Sequence, residues 1–130
     1  MLRTVSCKVR PETHVKTFAQ TIDLIDDPER IAEYERHHRA VWPEVVRGLL
    51  RIGIRRMQLW RVGSRLFMTF QAPDEFDPRH DYQSYAEDPR CAEWDRLMRT
   101  YQRRTGLTEP GDDAWWTPMR QIFELEEQPE

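Results

Sequence analysis

Ile54-Arg55-Arg56-Met57-Gln58-Leu59-Trp60-Arg61 and Arg65-Leu66-Phe67-Met68-Thr69-Phe70-Gln71 flank Val62-Gly63-Ser64. Two runs rich in aromatic and aliphatic residues, joined by a compact turn, read as an antiparallel β-hairpin. Met57 and Leu59 alternate with Gln58 and Trp60, and Phe67 with Leu66 and Met68, so both alternations carry apolar side chains. A sheet solvated on one face would alternate cleanly, and both faces of this one are therefore expected to be covered.

Upstream, Lys16 to Ile25 places Phe18, Ile22 and Leu24 among polar residues and reads as a first strand. Asp26-Asp27-Pro28 ends it, with Asp27 as helix N-cap, Pro28 in the first helical position and Glu29 in the first turn. The helix from Pro28 carries Ile31, Tyr34, His38, Val41 and Trp42, and Pro43 must bend or restart it. A second segment, Glu44 to Ile52, is expected to stop at Gly53. Downstream of the hairpin, Asp74 to Asp81 reads as a polar loop and Tyr82 to Glu87 as a short helix. Asp88-Pro89 opens a longer helix bearing Trp94, Leu97, Met98 and Tyr101 at helical spacing. Gly106 to Asp113 reads as a loop and Trp116 to Leu125 as a last strand.

The resulting order, βαββαβ, defines an α+β, ferredoxin-like fold: one antiparallel sheet with helices packed on one face. A second copy of the chain is the expected cover for the other face, giving a homodimer of the dimeric α+β barrel type. Residues 1–15 read as an N-terminal extension, 16–125 as a single domain and 126–130 as a tail.

Composition narrows the function. The chain has 130 residues, 33% of them charged and 38% hydrophobic, with a net charge of only −3. Its basic residues are interleaved with acids, which disfavours nucleic-acid binding. No apolar run is long enough to span a membrane, no signal peptide is evident, and a cytoplasmic protein is expected. Cys7 and Cys91 lack any CxxC spacing, and His14, His37, His38 and His80 form no metal-ligand motif, so neither a disulfide, a metal nor another cofactor is expected.

Nucleophile elbow, phosphate loop and dinucleotide fingerprint are likewise missing, which leaves proton transfer by histidine or carboxylate. The densest stretch for that chemistry is Glu33-Tyr34-Glu35-Arg36-His37-His38-Arg39-Ala40-Val41-Trp42-Pro43. In one helix, Tyr34, His38 and Trp42 would share a face, combining a phenol, an imidazole and an indole. Such a face suits a sugar or another small polyol; it equally suits a half-buried core with a hydrogen-bonded boundary histidine.

The spacing Y-x3-H-x3-W-P at Tyr34, His38 and Trp42-Pro43, the hairpin after Gly53, the helix Cys91-Ala92-Glu93-Trp94-Asp95-Arg96-Leu97-Met98 and the closing Ile122-Phe123-Glu124-Leu125 resemble the L-rhamnose mutarotase family. The resemblance runs from about Phe18 to Leu125. It implies a dimeric ferredoxin-like isomerase that interconverts the anomers of 6-deoxy-L-sugars without a cofactor. His38 matches the family's proton donor, while Tyr34 and Trp94 match residues that contact the sugar. Two positions depart from the rhamnose-specific pattern: Met57 stands where a sugar-contacting tyrosine is expected, and Asp95 replaces the second tryptophan of a pair. Both are candidate substrate contacts that would alter how hydroxyl stereochemistry is read. The loop ending Asp113-Ala114-Trp115-Trp116 resembles the branch acting on L-fucose, which ranks L-fucose above L-rhamnose. Alternatives of the same architecture are a non-catalytic small-molecule binding module and a cofactor-free monooxygenase.

Overall fold

The computed structural model describes residues 14–129. Most of the expected extension, and Cys7 with it, lies outside the described residues. The elements are β1 (Val15–Leu24), α1 (Pro28–His37), α2 (Pro43–Arg51), β2 (Arg55–Val62), β3 (Arg65–Pro73), α3 (Pro78–Tyr85), α4 (Pro89–Arg99), β4 (Gln102–Arg103) and β5 (Thr117–Met119), followed by a short 3-10 turn at Leu125–Glu127. The strands form one antiparallel sheet in the order β2-β3-β1, with β4 and β5 both paired to the far edge of β1. That is the ferredoxin-like order, with the first strand in the interior of the sheet.

Register decides the faces. Phe18, Gln20 and Ile22 stand opposite Phe70, Met68 and Leu66 and share one side of the sheet. On that side the helices bury Ile22, Leu24, Leu66, Val45, Tyr85, Cys91, Trp94 and Met98 in one core, while Ile54, Phe70, Ala72 and Phe76 form a second. Between the Arg55–Gln71 and Gln58–Thr69 pairs the register of β2 shifts. Arg56 takes φ 52° there, and the bulge leaves Met57 packed on the second core.

Three helices begin in the same way. Asp27, Asp77 and Asp88 each accept a hydrogen bond from the backbone N–H two residues on, and each is followed by proline. The third helix thus starts at Pro78 instead of Tyr82, because Asp77-Pro78 repeats the cap seen at the other two. The Tyr34–Trp42 stretch is not one helix. α1 ends at His37, and Trp42, extended at φ −56° and ψ 135°, precedes α2.

The last strand is also shorter than the expected Trp116 to Leu125. Only Thr117–Met119 pairs with β1, and Ile122 is 86% exposed. Beyond Met119 the apolar side chains Ile122, Phe123 and Leu125 find no surface among the described residues to bury against, so packing there gives strand pairing no support. Among the described residues the sheet face away from the helices stays open too, with Trp60 59% exposed and Val62 beside it.

Helix α2 approaches α3 and α4 through Gly48. A Cβ at Gly48 would lie 2.8 Å from Cys91 Sγ and 3.0 Å from Tyr85 Cδ1. Alanine at an open helical position stabilises by about 1 kcal/mol relative to glycine, but here overpacking dominates. Gly48→Ala is expected to lower stability by about 1–3 kcal/mol in urea unfolding, and a more stable variant would contradict the close approach.

Candidate active site

The C-terminal end of α1 builds the site. His38 is the C-cap of that helix, and its backbone N–H donates to Glu35 O and Arg36 O. Its imidazole Nδ1 lies 2.8 Å from the Tyr34 carbonyl oxygen one turn back. A carbonyl only accepts, so Nδ1 carries the proton and the neutral ring keeps its lone pair on Nε2. Burial is the largest influence on this imidazole and lowers its pKa below 6.5; the bond to Tyr34 raises it, and the neighbouring His37 lowers it. His38 is therefore mainly neutral at pH 7, and among the described residues its basic nitrogen meets no hydrogen-bond partner.

Aromatic rings fix its position. The Tyr34 ring stands 4.5 Å from the imidazole, and Trp94 meets it edge-on at 5.6 Å. Trp42 packs against Trp94 at 5.1 Å, and the Arg90 guanidinium lies 3.8 Å over the Trp42 ring. His37 also meets Trp94 edge-on at 6.2 Å and hydrogen-bonds the Tyr101 hydroxyl at 3.2 Å, which in turn donates to Glu33. It is thus half-buried within a side-chain network instead of free in solvent. The sequence-derived set Tyr34, His38 and Trp94 is brought together.

Beside it opens a cavity of about 510 Å³, lined by Tyr34, Glu35, His38 and Arg39 from the α1 end and by Leu59, Trp60, Arg61 and Leu66 from the hairpin. Arg61 Nε meets Glu35 Oε2 at 2.5 Å across the rim. Trp94, 6% exposed, backs His38 without lining the cavity. Met57 and Asp95 also lie outside the lining: Met57 packs on the second core, and Asp95 sits near the Tyr85 hydroxyl at 3.4 Å. Burial pushes the Asp95 carboxyl up to about 6, while Arg99 and the Tyr85 hydroxyl partly oppose it. Among the described residues no three His, Cys, Asp or Glu side chains converge to hold a metal, and no helix is long and apolar enough to cross a membrane.

Tyr34 is 2% exposed, and its hydroxyl accepts a hydrogen bond from Gln102 Nε2 at 2.9 Å. Burial, with that bond opposing it, raises its pKa to about 12, so the phenol keeps its proton. Gln102 carried no signal in the sequence, because a lone glutamine after a helix has no periodicity or motif to mark it. Arg61 and Glu35 were equally silent, being charged residues on elements full of charge.

The L-rhamnose mutarotase family model matches residues 17–125. The chain belongs to that family. Members of the rhamnose and fucose mutarotase family are carbohydrate isomerases. Over 113 residues the chain is 41% identical to a UPF0734 protein of Dictyostelium discoideum, covering 85% of this chain and 90% of that one. It is 39% identical over 108 residues to the L-fucose mutarotase of Xanthomonas campestris, covering 82% and 85% of the two chains. The crystal structure of an L-rhamnose mutarotase from Formosa agariphila superposes with a TM-score of 0.60 at 15% identity, over 85% of this chain and 98% of that one. The mutarotase family fold is thus shared by the sheet order and by that neighbour.

The Asp95 carboxyl gives a stability test. A folded-state pKa raised above 3.8 means that the folded protein holds the extra proton between about pH 4 and pH 6. Stability therefore falls as pH rises through that window, and ionised Asp95 opposes folding above it. Asp95→Asn is expected to gain about 1–2 kcal/mol in thermal or urea unfolding at pH 7.5, with the gain vanishing near pH 4. An equal difference at both pH values would contradict the shift.

Proposed function

We propose that the protein interconverts the α and β anomers of a 6-deoxy-L-hexose, with L-fucose preferred to L-rhamnose, and that His38 moves the proton. The observation that carries this reading is a neutral His38 that lines a sugar-sized cavity with Nδ1 committed to the Tyr34 carbonyl, leaving Nε2 without a hydrogen-bond partner among the described residues. Nε2 takes the proton of the anomeric hydroxyl, the C1–O5 bond opens, and the imidazolium returns the proton to O5. Rotation of the aldehyde followed by the reverse steps closes the other anomer, so no co-reactant is consumed. Tyr34 contacts the sugar, Trp94 holds the imidazole from behind, and Leu59, on the helix-side face of the hairpin, offers apolar surface to the ring. Met57 and Asp95 shape specificity only through the packing around these groups. The 39% identity to an L-fucose mutarotase supports the choice of sugar.

The same reading places the protein in the cytoplasm as a homodimer. Trp60 and Val62 on the open sheet face, with Ile122, Phe123 and Leu125 beyond β5, offer the apolar surface that a second copy would cover.

Saturation-transfer proton NMR of the anomeric signals tests the activity. Wild type is expected to exchange L-fucose faster than L-rhamnose, and His38→Ala to lose about 10²–10⁴-fold while staying folded. Undiminished exchange by His38→Ala would remove the histidine from the mechanism. Since the protonated imidazole has no free base, kcat/KM should fall as pH drops below 6.5 and stay level from about pH 7 to pH 8. A rate that rises on acidification would contradict the neutral-base role.

A further inference from the structure

Gln102 is buried at 7% exposure, yet it is held at both ends of its amide. Its Oε1 accepts from the Trp115 indole Nε1–H at 2.8 Å, and its Nε2 donates to the Tyr34 hydroxyl oxygen at 2.9 Å. An indole N–H can only donate, so the amide oxygen must face Trp115 and the NH₂ must face Tyr34. The phenol oxygen is then an acceptor toward the protein. Among the described residues its own proton meets no protein acceptor, and Tyr34 borders the cavity that holds His38.

We infer that Gln102 and Trp115 are positioning residues that hold the Tyr34 hydroxyl as a fixed hydrogen-bond donor to a sugar oxygen, opposite in sense to the accepting Nε2 of His38. This rests on the mutarotase reading. One group then takes a proton while its neighbour stabilises the oxygen on which negative charge develops, and neither has to reorient as the ring opens.

The chain builds this relay deliberately. Strand β4 clamps Gln102 opposite Leu24, and the Ile25 N–H donates to Tyr101 O at 2.9 Å alongside it. The loop that returns to Trp115 is pinned by the Arg104 guanidinium, which donates to Asp112 O at 3.3 Å and Ala114 O at 3.0 Å. The Asp112 carboxylate also accepts from the Ala114 N–H at 2.9 Å, and the Arg99 guanidinium lies 5.0 Å over the Trp115 ring. The stretch between β4 and β5 thereby delivers one donor-only group to one amide.

Gln102→Glu tests the inference because it keeps the shape and reverses the polarity. An ionised carboxylate accepts from both Trp115 and Tyr34, turning the phenolic proton away from the sugar; once protonated, it again donates to Tyr34. At pH 8 the variant is expected to lose about 10- to 100-fold in kcat, with the ratio of variant to wild-type activity rising as pH falls. Trp115→Phe, which leaves the amide free to flip, should lose a smaller factor in kcat with little change in KM. On a Tyr34→Phe background neither substitution should cost more, since both act through the phenol. Wild-type exchange together with a Gln102→Glu variant of unchanged rate, or losses that add to that of Tyr34→Phe, would overturn the relay alone. If Gln102→Glu fails to fold, an unchanged rate in Trp115→Phe decides against it. Lack of exchange by the wild type would overturn the mutarotase reading and the relay with it.

Discussion

The bond from His38 Nδ1 to the Tyr34 carbonyl oxygen, 2.8 Å long, is the constraint on which the site depends. It spans one helical turn and uses an oxygen that the end of α1 would otherwise leave without a helical partner. In the same contact it chooses the tautomer of the imidazole. A helix terminus, which would ordinarily favour a charged histidine, here coexists with burial strong enough to keep the ring neutral. Proton chemistry at this position therefore follows from where the helix stops.

The stop is a consequence of sequence farther on. Pro43 cannot continue α1, and the five residues before it turn the chain so that Trp42 folds back on Trp94. Helix α4 can present Trp94 there because α2 packs closely on it through Gly48. On the opposite side the cavity wall is the hairpin, whose Leu59 and Arg61 are set by their pairing with Met68 and Leu66 on β3. Each wall of the site thus belongs to a different layer of one fold, and the central position of β1 links them.

Much of this was legible in the residues. The Asp-Pro caps at Asp27 and Asp88, the hairpin around Gly63 and the apolar periodicity of α4 gave the element order; spacing put Tyr34 beside His38, and the family resemblance, not spacing, added Trp94. What was not legible depends on contacts distant in sequence. The bulge at Arg56 and the two-residue strand at Gln102 carry no local pattern. Asp77-Pro78 was hidden by the polar composition around it, although the same cap recurs twice elsewhere. Apolar residues at Ile122 and Phe123 read as strand because periodicity reports what a side chain would bury against, and the described residues do not supply that surface. The Trp115–Gln102–Tyr34 chain joins residues 13 and 68 positions apart, beyond the reach of any spacing rule.

The central claim is that His38 presents a free, basic Nε2 because its Nδ1–H is committed to the backbone. Long-range proton–nitrogen correlation NMR on protein labelled with 15N at histidine measures this directly. At pH 7.5 the account requires the His38 ring to be neutral and protonated at Nδ1, with Nε2 showing the shift of an unprotonated nitrogen. A ring protonated at Nε2, or one charged at that pH, would contradict it.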